Sequence, residues 1–236
     1  MNPSAALKAR ITEIFSSIQG EGPRTGERHI FIRFESCHMA CAYCDESGKK
    51  GRAMALASIL RKVDFLEKNE GPHACVSLTG GEPLLQADLL KALCGALRRK
   101  KFRILLETSG VLWRQLSKVA GDCDTIAMDL KLPSVTGQGD FLEKHRAFLK
   151  IAKKSDVYIK VVVSKNADVR ELEAHLRMVA AVAPLTPVFL QPLSDGRKVY
   201  PDPGLMGFLN KLQRIGARQL PNIRVGIQLH KVMKIR

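Results

Sequence analysis

The sequence lacks the features that mark membrane-spanning and secreted proteins. Its first ten residues hold no long apolar run, and a chain of 236 residues with this composition can build a core without disulfide bonds. We therefore expect neither a signal peptide nor a membrane span. Hydrophobic residues make up 45% of the chain and charged residues 26%, as in ordinary globular proteins. We expect one domain over residues 1–236, with residues 1–10 loosely ordered.

The chain also lacks what a nucleic-acid-binding protein needs besides positive charge. Aromatic residues make up only 6%, which is few for a base-stacking surface, and no helix-turn-helix, zinc-finger or RNA-binding motif is present. The net charge of +15 still requires an explanation. A nucleic acid, an anionic small substrate, an acidic protein partner or a basic solvated surface would each account for it. We favour the solvated surface and predict no nucleic-acid partner.

Three of the six cysteines lie close together. Cys37, Cys41 and Cys44 form a C-x3-C-x2-C run just after the apolar stretch at residues 30–34. Three thiolates supply three of the four ligands that a [4Fe–4S] cluster needs, so one iron is left open. An open iron beside a bound substrate is a reaction site. The run therefore predicts an enzyme that uses radical chemistry.

Zinc is the main alternative for this run. A structural zinc site needs four ligands, usually in two separated pairs, and the sequence has no second C-x2-C pair. His38 as a fourth ligand would be strained because it directly follows Cys37. Unligated thiols are a third possibility. The isolated Cys75, Cys94 and Cys123, together with an oxygen-sensitive cluster, favour the reducing cytoplasm.

The middle and second half of the chain alternate between strand and helix patterns. Apolar runs predict strands over residues 74–78, 103–107, 125–129, 157–164, 188–190 and 223–227. Leucines on one face predict a helix over residues 86–100, and a second helix over residues 168–183 has Asp168 as its N-cap. Continuous apolar strands between amphipathic helices indicate an α/β fold with a parallel sheet covered by helices.

Polar motifs follow four of the predicted strands. They are TGGEP at residues 79–83, ETSG at 107–110, DLK at 129–131 and QP at 191–192. Each alone is typical of a turn or a helix cap. Because the carboxyl ends of parallel strands meet at one edge of a sheet, the four motifs together predict a ligand cleft.

The TGGEP motif favours an amino-acid-like ligand. Gly80 and Gly81 let the backbone approach a ligand closely, and Glu82 offers a carboxylate that can accept a hydrogen bond from an ammonium group. Pro83 suits the first turn of the helix that follows. The Lys-Ser/Thr of a phosphate-binding P-loop is absent.

Residues near both chain ends add to the expected cleft. The QGEG loop at residues 19–22 presents amide and carboxylate groups that match the edge of a pterin- or guanine-like heterocycle. Arg33 lies in an apolar strand and needs a partner, either an anionic substrate or a nearby Glu. Alternation along an extended segment would place Gln228 and His230 on one face. The terminal carboxylate of Arg236 would reach the same cleft.

The cysteine run and the TGGEP motif together resemble the radical S-adenosylmethionine (radical SAM) superfamily. The segments at residues 13–22, 31–34, 129–134, 191–192 and 228–231 narrow the resemblance to the 7-carboxy-7-deazaguanine synthases, from residue 11 to the end. The resemblance implies a partial (β/α) barrel with parallel strands and outer helices. It also implies the ring contraction of 6-carboxy-5,6,7,8-tetrahydropterin to 7-carboxy-7-deazaguanine, with release of ammonia, in queuosine biosynthesis.

The resemblance further implies a [4Fe–4S] cluster on the three cysteines, S-adenosylmethionine (SAM) on its open iron, and Mg²⁺. Reductive cleavage of SAM would give a radical that takes a hydrogen atom from C6 of the substrate and later regains it. The implied SAM-binding residues are Tyr43, Gly80, Gly81, Glu82, Ser109, Asp129, Leu130, Lys131, Gln191, Pro192, Leu193 and Ser194. The implied substrate-binding residues are Ile18, Gln19, Gly20, Glu21, Arg33, Thr79, Gln228, His230 and Arg236.

The chain departs from the family at one position of the cysteine run. The family has Cys-Asp-Thr with the threonine hydroxyl on Mg²⁺, whereas this chain has Glu46 two residues after Cys44. A carboxylate is a good ligand for Mg²⁺, so Glu46 could replace the threonine. It could equally change the choice of metal or repel the carboxylate of the substrate.

The implied partners are a small pterin substrate, a flavodoxin- or ferredoxin-like electron donor and a second copy of the chain in a homodimer. Two other functions remain open from the residues. One is a radical SAM enzyme with a different substrate, either a peptide-modifying or an activating enzyme, although activating enzymes lack the QGEG loop and the Q-x-H-K segment at residues 228–231. The other is a basic, zinc-containing nucleic-acid-binding protein.

Overall fold

The computed structural model describes residues 7–194 and 202–235. In these ranges the chain builds one sheet of nine strands. The strands are β1 (Lys8–Ile18), β2 (Arg28–Phe34), β3 (Arg52–Ala55), β4 (Cys75–Gly80), β5 (Ile104–Thr108), β6 (Thr125–Asp129), β7 (Asp156–Val163), β8 (Val188–Pro192) and β9 (Ile223–Val225).

The sheet is mostly parallel and is not closed. Its strand order is β3-β1-β2-β4-β5-β6-β7-β8-β9. The pairs from β2–β4 to β8–β9 are parallel, whereas β1 pairs antiparallel with both β2 and β3. Because β3 and β9 remain edge strands, the sheet forms part of a barrel. The predicted α/β partial barrel is confirmed.

Most helices pack on the outer face of the sheet and connect its strands, whereas the last helix follows the final strand. They are α1 (Leu56–Glu70), α2 (Ala87–Arg99), α3 (Trp113–Val119), α4 (Pro133–Thr136), α5 (Leu142–Ala152), α6 (Val169–Val182), α7 (Pro203–Gly216) and α8 (Leu229–Met233). The main apolar core lies between these helices and the sheet and includes fully buried residues such as Ile104, Leu106 and Ile159. Asp168 caps α6 as predicted, because its side chain accepts a hydrogen bond from the backbone N–H of Arg170 at 2.7 Å.

The inner face of the parallel strands has two layers. A small apolar cluster forms the layer nearer the amino ends of the strands. It consists of Cys75, Leu105, Ala127, Tyr158 and Phe189. Two residues further along β5 to β8, the same face carries Glu107, Asp129, Lys160 and Gln191, which line a cavity. The two-residue repeat of a strand thus places an apolar floor beneath a polar rim.

The apolar floor is covered from below by a short turn. Gly22 adopts a φ of +68°, and a Cβ there would lie 2.5 Å from the Tyr158 ring. Arg24, in the same turn, donates to the hydroxyl of Thr125 at 3.2 Å. The turn therefore needs glycine at position 22 to pack against the floor, which closes the amino end of the partial barrel.

Three expectations differ from the structure. Residues 8–10 belong to β1, because they pair with β3, and are not loosely ordered; residues 1–6 lie outside the described ranges. The strand expected over 223–227 ends at Val225. The extended segment expected at Gln228 and His230 is wrong, because α8 begins at Leu229.

The described ranges were also searched for membrane-spanning helices. None of the helices there combines the length and the apolar character that a membrane crossing requires.

Candidate active site at the carboxyl ends of the strands

A cavity of about 260 Å³ opens at the carboxyl ends of the parallel strands. The cysteine run, the strand-end motifs and the residues near both chain ends all contribute to its lining. Of the sequence-predicted residues it includes Ile18, Gln19, Gly20, Glu21, Arg33, Cys37, Cys41, Tyr43, Cys44, Glu46, Thr79, Gly80, Gly81, Ser109, Asp129, Lys131, Gln191, Pro192, Leu193, Ser194, Gln228 and His230. The predicted convergence on one cleft is therefore present in the structure.

The three cysteines lie on a loop at residues 35–51 that contains neither helix nor strand. Cys37 and Cys44 are exposed and Cys41 is half-buried. Burial raises the pKa of the Cys37 and Cys41 thiols. Within the described ranges, no group of three or more His, Cys, Asp or Glu side chains is placed to hold a metal ion. A structural zinc site needs four ligands on one ion, whereas a [4Fe–4S] cluster bonds each thiolate to a different iron.

The glycine turn lies directly against the start of the cysteine loop. The N–H of Gly81 donates to the carbonyl of Phe34 at 2.7 Å, and the N–H of Glu82 donates to the carbonyl of Ser36 at 2.7 Å. Gly80 has a φ of +102°, and a Cβ on Gly81 would lie 2.2 Å from the Ser36 oxygen. Glycine is therefore required at both positions for this close approach.

Glu82 occupies a different position from the one predicted. It is 1% exposed and lies outside the cavity lining. Its carboxylate accepts hydrogen bonds from Leu84 N at 3.1 Å, Ser109 N at 2.8 Å and the hydroxyl of Thr108 at 2.9 Å. Burial and internal donors thus occupy the carboxylate, and its hydrogen bond with a ligand ammonium group stays a prediction. Glu82 fixes the ETSG turn.

Tyr43 connects the cysteine loop to the end of β6. The ammonium of Lys131 lies 3.3 Å from the Tyr43 hydroxyl and 2.6 Å from Oδ2 of Asp129. Although burial lowers the pKa of Lys131, the nearby Asp129 carboxylate raises it overall. The side chain of Leu130, between them, is buried in the outer core, so only its backbone can face a ligand.

Glu21 accepts hydrogen bonds from three elements of the fold. Lys160 Nζ lies 2.7 Å from its Oε2, and the amides of Gln191 and Gln228 donate to its Oε1 at 2.8 and 2.7 Å. Burial alone would raise the pKa of Glu21, but Lys160 and these amides lower it to about 2. Glu21 is therefore ionised and fixed in orientation.

Glu107 behaves in the opposite way at the same rim. It accepts from the Gln19 amide at 3.0 Å and from the Thr79 hydroxyl at 2.9 Å. Burial raises the pKa of Glu107, and the nearby Glu21 charge raises this pKa further. The Lys160 charge and the two hydrogen bonds lower the pKa but do not fully compensate for burial. The rim thus holds one carboxylate with a lowered pKa and one with a raised pKa.

Arg33 has carboxylate partners within the chain. Its Nη1 lies 3.2 Å from Oε2 of Glu13 and 3.4 Å from Oε1 of Glu46, and its guanidinium lies over the Phe15 ring. Lys49 Nζ is 2.7 Å from the same Glu46 oxygen. Among the described residues, Oε2 of Glu46 is buried and has no hydrogen-bond partner. The ion-pair alternative for Arg33 is thus present, and Glu46 retains one free oxygen.

Helix α8 closes the cavity against the loop that follows β1. Leu229 N donates to the carbonyl of Gly20 at 2.9 Å, and a Cβ on Gly20 would lie 2.2 Å from Nδ1 of His230. Lys231, on the same helix, pairs with Asp45 of the cysteine loop at 3.2 Å. Burial lowers the pKa of His230.

The cavity also contains residues that the sequence reasoning missed. Glu107 and Lys160 are the two charged examples among the strand ends. Glu107 belongs to a predicted motif, and Lys160 interrupts an apolar strand as Arg33 does, so both had a usable signal. Arg236, predicted to bring its carboxylate here, lies outside the described residues.

Comparison with known proteins agrees with this geometry. The family profile of the Radical SAM superfamily matches residues 31–179. The 7-carboxy-7-deazaguanine synthase of Geobacter sulfurreducens is 33% identical over 95% of this chain and 97% of its own length. The enzyme of the same name from Methanopyrus kandleri is 31% identical over 94% of this chain and 92% of its own length.

The fold also resembles a solved structure. The crystal structure of QueE from Escherichia coli superposes with a TM-score of 0.66 at 22% identity and covers 96% of both chains. At this identity the likeness supports the fold alone. From the profile and the full-length relatives, we conclude that the chain belongs to the radical SAM superfamily and, within it, to the 7-carboxy-7-deazaguanine synthases.

Proposed function

We propose that the chain converts 6-carboxy-5,6,7,8-tetrahydropterin to 7-carboxy-7-deazaguanine with release of ammonia, a radical ring contraction in 7-deazapurine (queuosine) biosynthesis. The observation that supports it most directly is the single cavity that joins the cysteine loop to the amide and carboxylate groups of Gln19, Glu21 and Gln228. Membership in the synthase family supports the same reaction.

The residues of the cysteine end fit a cluster and SAM. Cys37, Cys41 and Cys44 would hold three irons, since all three line the cavity and carry free thiols. When bound, the cluster and SAM supply the radical that removes and returns a substrate hydrogen. Gly80 and Gly81 let the backbone of this loop pack directly against the TGGEP turn. Ser109, Asp129 to Lys131 and residues 191–194 would orient SAM.

The opposite end of the cavity fits a pterin. Such a ring presents N–H donors and a carbonyl along one edge, and amide and carboxylate groups can pair with both. Ionised Glu21 and the amide of Gln19 are held rigidly by their own hydrogen bonds. Thr79 and His230 flank them in the lining. Arg33 would attract the substrate carboxylate, although Glu13 and Glu46 already neutralise part of its charge.

The free oxygen of Glu46 fits a hard cation such as Mg²⁺. Mg²⁺ is usually bound through one or two carboxylates, with water and substrate oxygens completing its coordination. Oε2 of Glu46 is buried in the cavity wall without a hydrogen-bond partner among the described residues. We include Glu46 as a Mg²⁺ ligand on this ground. In that role it would neutralise the charge that otherwise repels the substrate carboxylate.

The net charge and the exposed apolar side chains of the chain support two kinds of protein partner. A net charge of +15 would favour an acidic electron donor of the flavodoxin or ferredoxin type. Exposed apolar side chains at Ile227, Val232, Met233 and Ile235 give a surface for a homodimer. The six cysteines are unpaired, which fits a reducing compartment such as the cytoplasm.

The proposed function is tested with reconstituted, reduced protein. Incubation with SAM and 6-carboxy-5,6,7,8-tetrahydropterin is expected to give 7-carboxy-7-deazaguanine, identified by mass spectrometry. SAM cleavage without this product would favour a radical SAM enzyme with another substrate, such as a peptide. A colourless protein with one zinc instead of a brown protein with about four irons would favour the zinc-binding alternative.

A further inference from the structure

Lys160 is a half-buried cation in the lining of the cavity rim. It lies on the inner face of β7, where it interrupts an otherwise apolar strand, and its side chain is 17% exposed. Its Nζ lies 2.7 Å from Oε2 of Glu21 and 3.4 Å from Oδ1 of Asp129. One ammonium group therefore spans two carboxylates that come from different parts of the chain.

These two carboxylates belong to different ends of the cavity. Asp129 is bound by Lys131, which in turn contacts Tyr43 between the cluster cysteines. Glu21 is bound by the amides of Gln191 and Gln228 at the proposed substrate end. Lys160 is thus the link in a continuous chain of charges and hydrogen bonds that runs from the cysteine loop to the substrate end.

Asp129 and Glu21 depend on Lys160 to different degrees. If Lys160 were lost, Asp129 would keep the Lys131 ammonium at 2.6 Å. Glu21 would lose its only ion-pair partner in the described part of the chain and keep only neutral amide donors. Removal of Lys160 should therefore disturb the substrate end more than the SAM end.

We propose that Lys160 is a positioning residue that sets the placement of the pterin relative to SAM by joining Glu21 to Asp129. The inference rests on the proposed ring contraction. In that reaction a substrate hydrogen must be removed and later returned, so a small displacement of the substrate allows SAM cleavage without product. Coupling between cleavage and product formation is therefore the property that Lys160 controls.

The charges around Glu21 predict a pH effect. Glu21 faces Lys160 and Tyr158 on β7, Glu107 on β5 and His230 on α8, and Asp129 on β6 shares the Lys160 ammonium. Burial raises the pKa of Glu21, and the Lys160 charge counteracts this effect. Without Lys160, the pKa of Glu21 would therefore rise. A protonated Glu21 could no longer accept as a carboxylate. The substrate affinity of a Lys160 variant should therefore fall as the pH is lowered.

The test compares Lys160→Met with Lys165→Met as a matched control. Lys165 is an exposed lysine that pairs with Asp202 away from the cavity. For Lys160→Met we expect the KM for the pterin to rise by about 10-fold or more and 5′-deoxyadenosine to accumulate relative to product. The dissociation constant of SAM should stay near the wild-type value. Lys165→Met should match the wild type in all three.

Two further variants separate positioning from folding. Lys160→Gln removes the charge but keeps a hydrogen-bond donor. It replaces Lys160→Met in the test if that variant does not bind the cluster or unfolds at a lower temperature than the wild type. In Lys160→Met/Glu21→Gln, the acid-side pH dependence of KM should disappear, and the loss of kcat/KM should match that of Glu21→Gln alone. A merely structural lysine would give additive losses and no change in the ratio of 5′-deoxyadenosine to product.

The outcomes are distinct. If the wild type forms product and both Lys160 variants retain wild-type KM and coupling, the positioning role is wrong. Additive losses in the double variant overturn it as well. If the wild type cleaves SAM but forms no deazaguanine, the proposed function fails and the inference fails with it.

Discussion

At the cysteine end of the cavity the chain forms a loop without regular structure, whereas at the substrate end the polar groups project from strands or are bound to them. Two of the three cysteines are exposed, and their thiols take few hydrogen bonds. At the other end, Glu21 alone accepts three hydrogen bonds, from β7, from β8 and from the residue that precedes α8. The difference is one of pre-organisation.

A loop that receives a metal cluster can be ordered by the cluster itself, since metal binding supplies free energy for folding of the site. An organic substrate forms weaker interactions than a metal cluster, so its partners must be held in place beforehand. The sheet provides this rigidity by fixing the inner-face positions two residues apart. We therefore expect changes at the cysteine end to affect chemistry but not stability, and changes at the substrate end to affect both.

The largest effect is expected for Cys44→Ser. This variant removes one of the three proposed iron ligands, so the brown colour and product formation should be lost. Because Cys44 is exposed, the free energy of unfolding of the metal-free chain should change by no more than about 0.5 kcal/mol. Iron analysis, the product assay and urea unfolding measure these quantities. A strongly destabilised metal-free variant would break the contrast between the two ends.

The next effect in size is expected for Glu21→Gln. The amide removes the charge that pairs with Lys160 and brings an N–H group against the donors of Gln191 and Gln228. A hydrogen bond to a charged group contributes about 1.5–3 kcal/mol, so kcat/KM for the pterin should fall by about 10- to 100-fold. Iron content and SAM binding serve as controls. Equal losses in pterin and SAM binding would show that Glu21 does not belong to the substrate end alone.

A smaller effect is expected for Gly20→Ala. The added Cβ would lie 2.2 Å from the His230 ring and 3.0 Å from the His230 backbone nitrogen, so α8 must shift. Such overpacking typically costs about 1–3 kcal/mol of unfolding free energy. Gly121→Ala is the matched control, because a Cβ there meets no atom within 4 Å. For Gly20→Ala, the free energy of unfolding measured in urea and the KM for the pterin should both change. For Gly121→Ala, both should stay at the wild-type value.

The smallest effect on overall rate is expected for Glu46→Thr. The substitution exchanges the free carboxylate oxygen for a hydroxyl, so the dependence of activity on Mg²⁺ concentration should shift. Direct Mg²⁺ titration by calorimetry in the presence of the pterin provides a readout independent of turnover. Unchanged activity together with an unchanged metal titration would exclude Glu46 as a ligand.

Much of this fold and site follows from short-range sequence signals. The motifs at strand ends were identifiable because parallel strands place their carboxyl ends at one edge, whatever the exact length of each helix. Lys160 was overlooked in the apolar strand at 157–164, although it obeys the same logic as Arg33. Residues two positions after each floor residue, namely Glu107, Asp129, Lys160 and Gln191, would have been found together from strand alternation.

Other features depend on contacts between distant residues. The TGGEP motif by itself predicts an accessible carboxylate at Glu82. In the structure this carboxylate accepts a hydrogen bond from the ETSG turn, 27 residues further along the chain. The helical form of Leu229–Met233 is fixed by its contact with Gly20 and not by local propensity, since the segment is only five residues long. Tertiary partners of this kind are invisible in a single sequence.

The apolar floor has a consequence for ligand traffic. Tyr158, Phe189 and their neighbours fill the inner face at the amino ends, and the turn at Gly22 packs beneath them. The cavity therefore opens at the carboxyl-end rim and not through the floor. Substrate, cofactor, product and ammonia must all pass through this rim. Whichever ligand binds deeper must enter first and leave last, so the floor imposes an order of binding without contacting any reacting group.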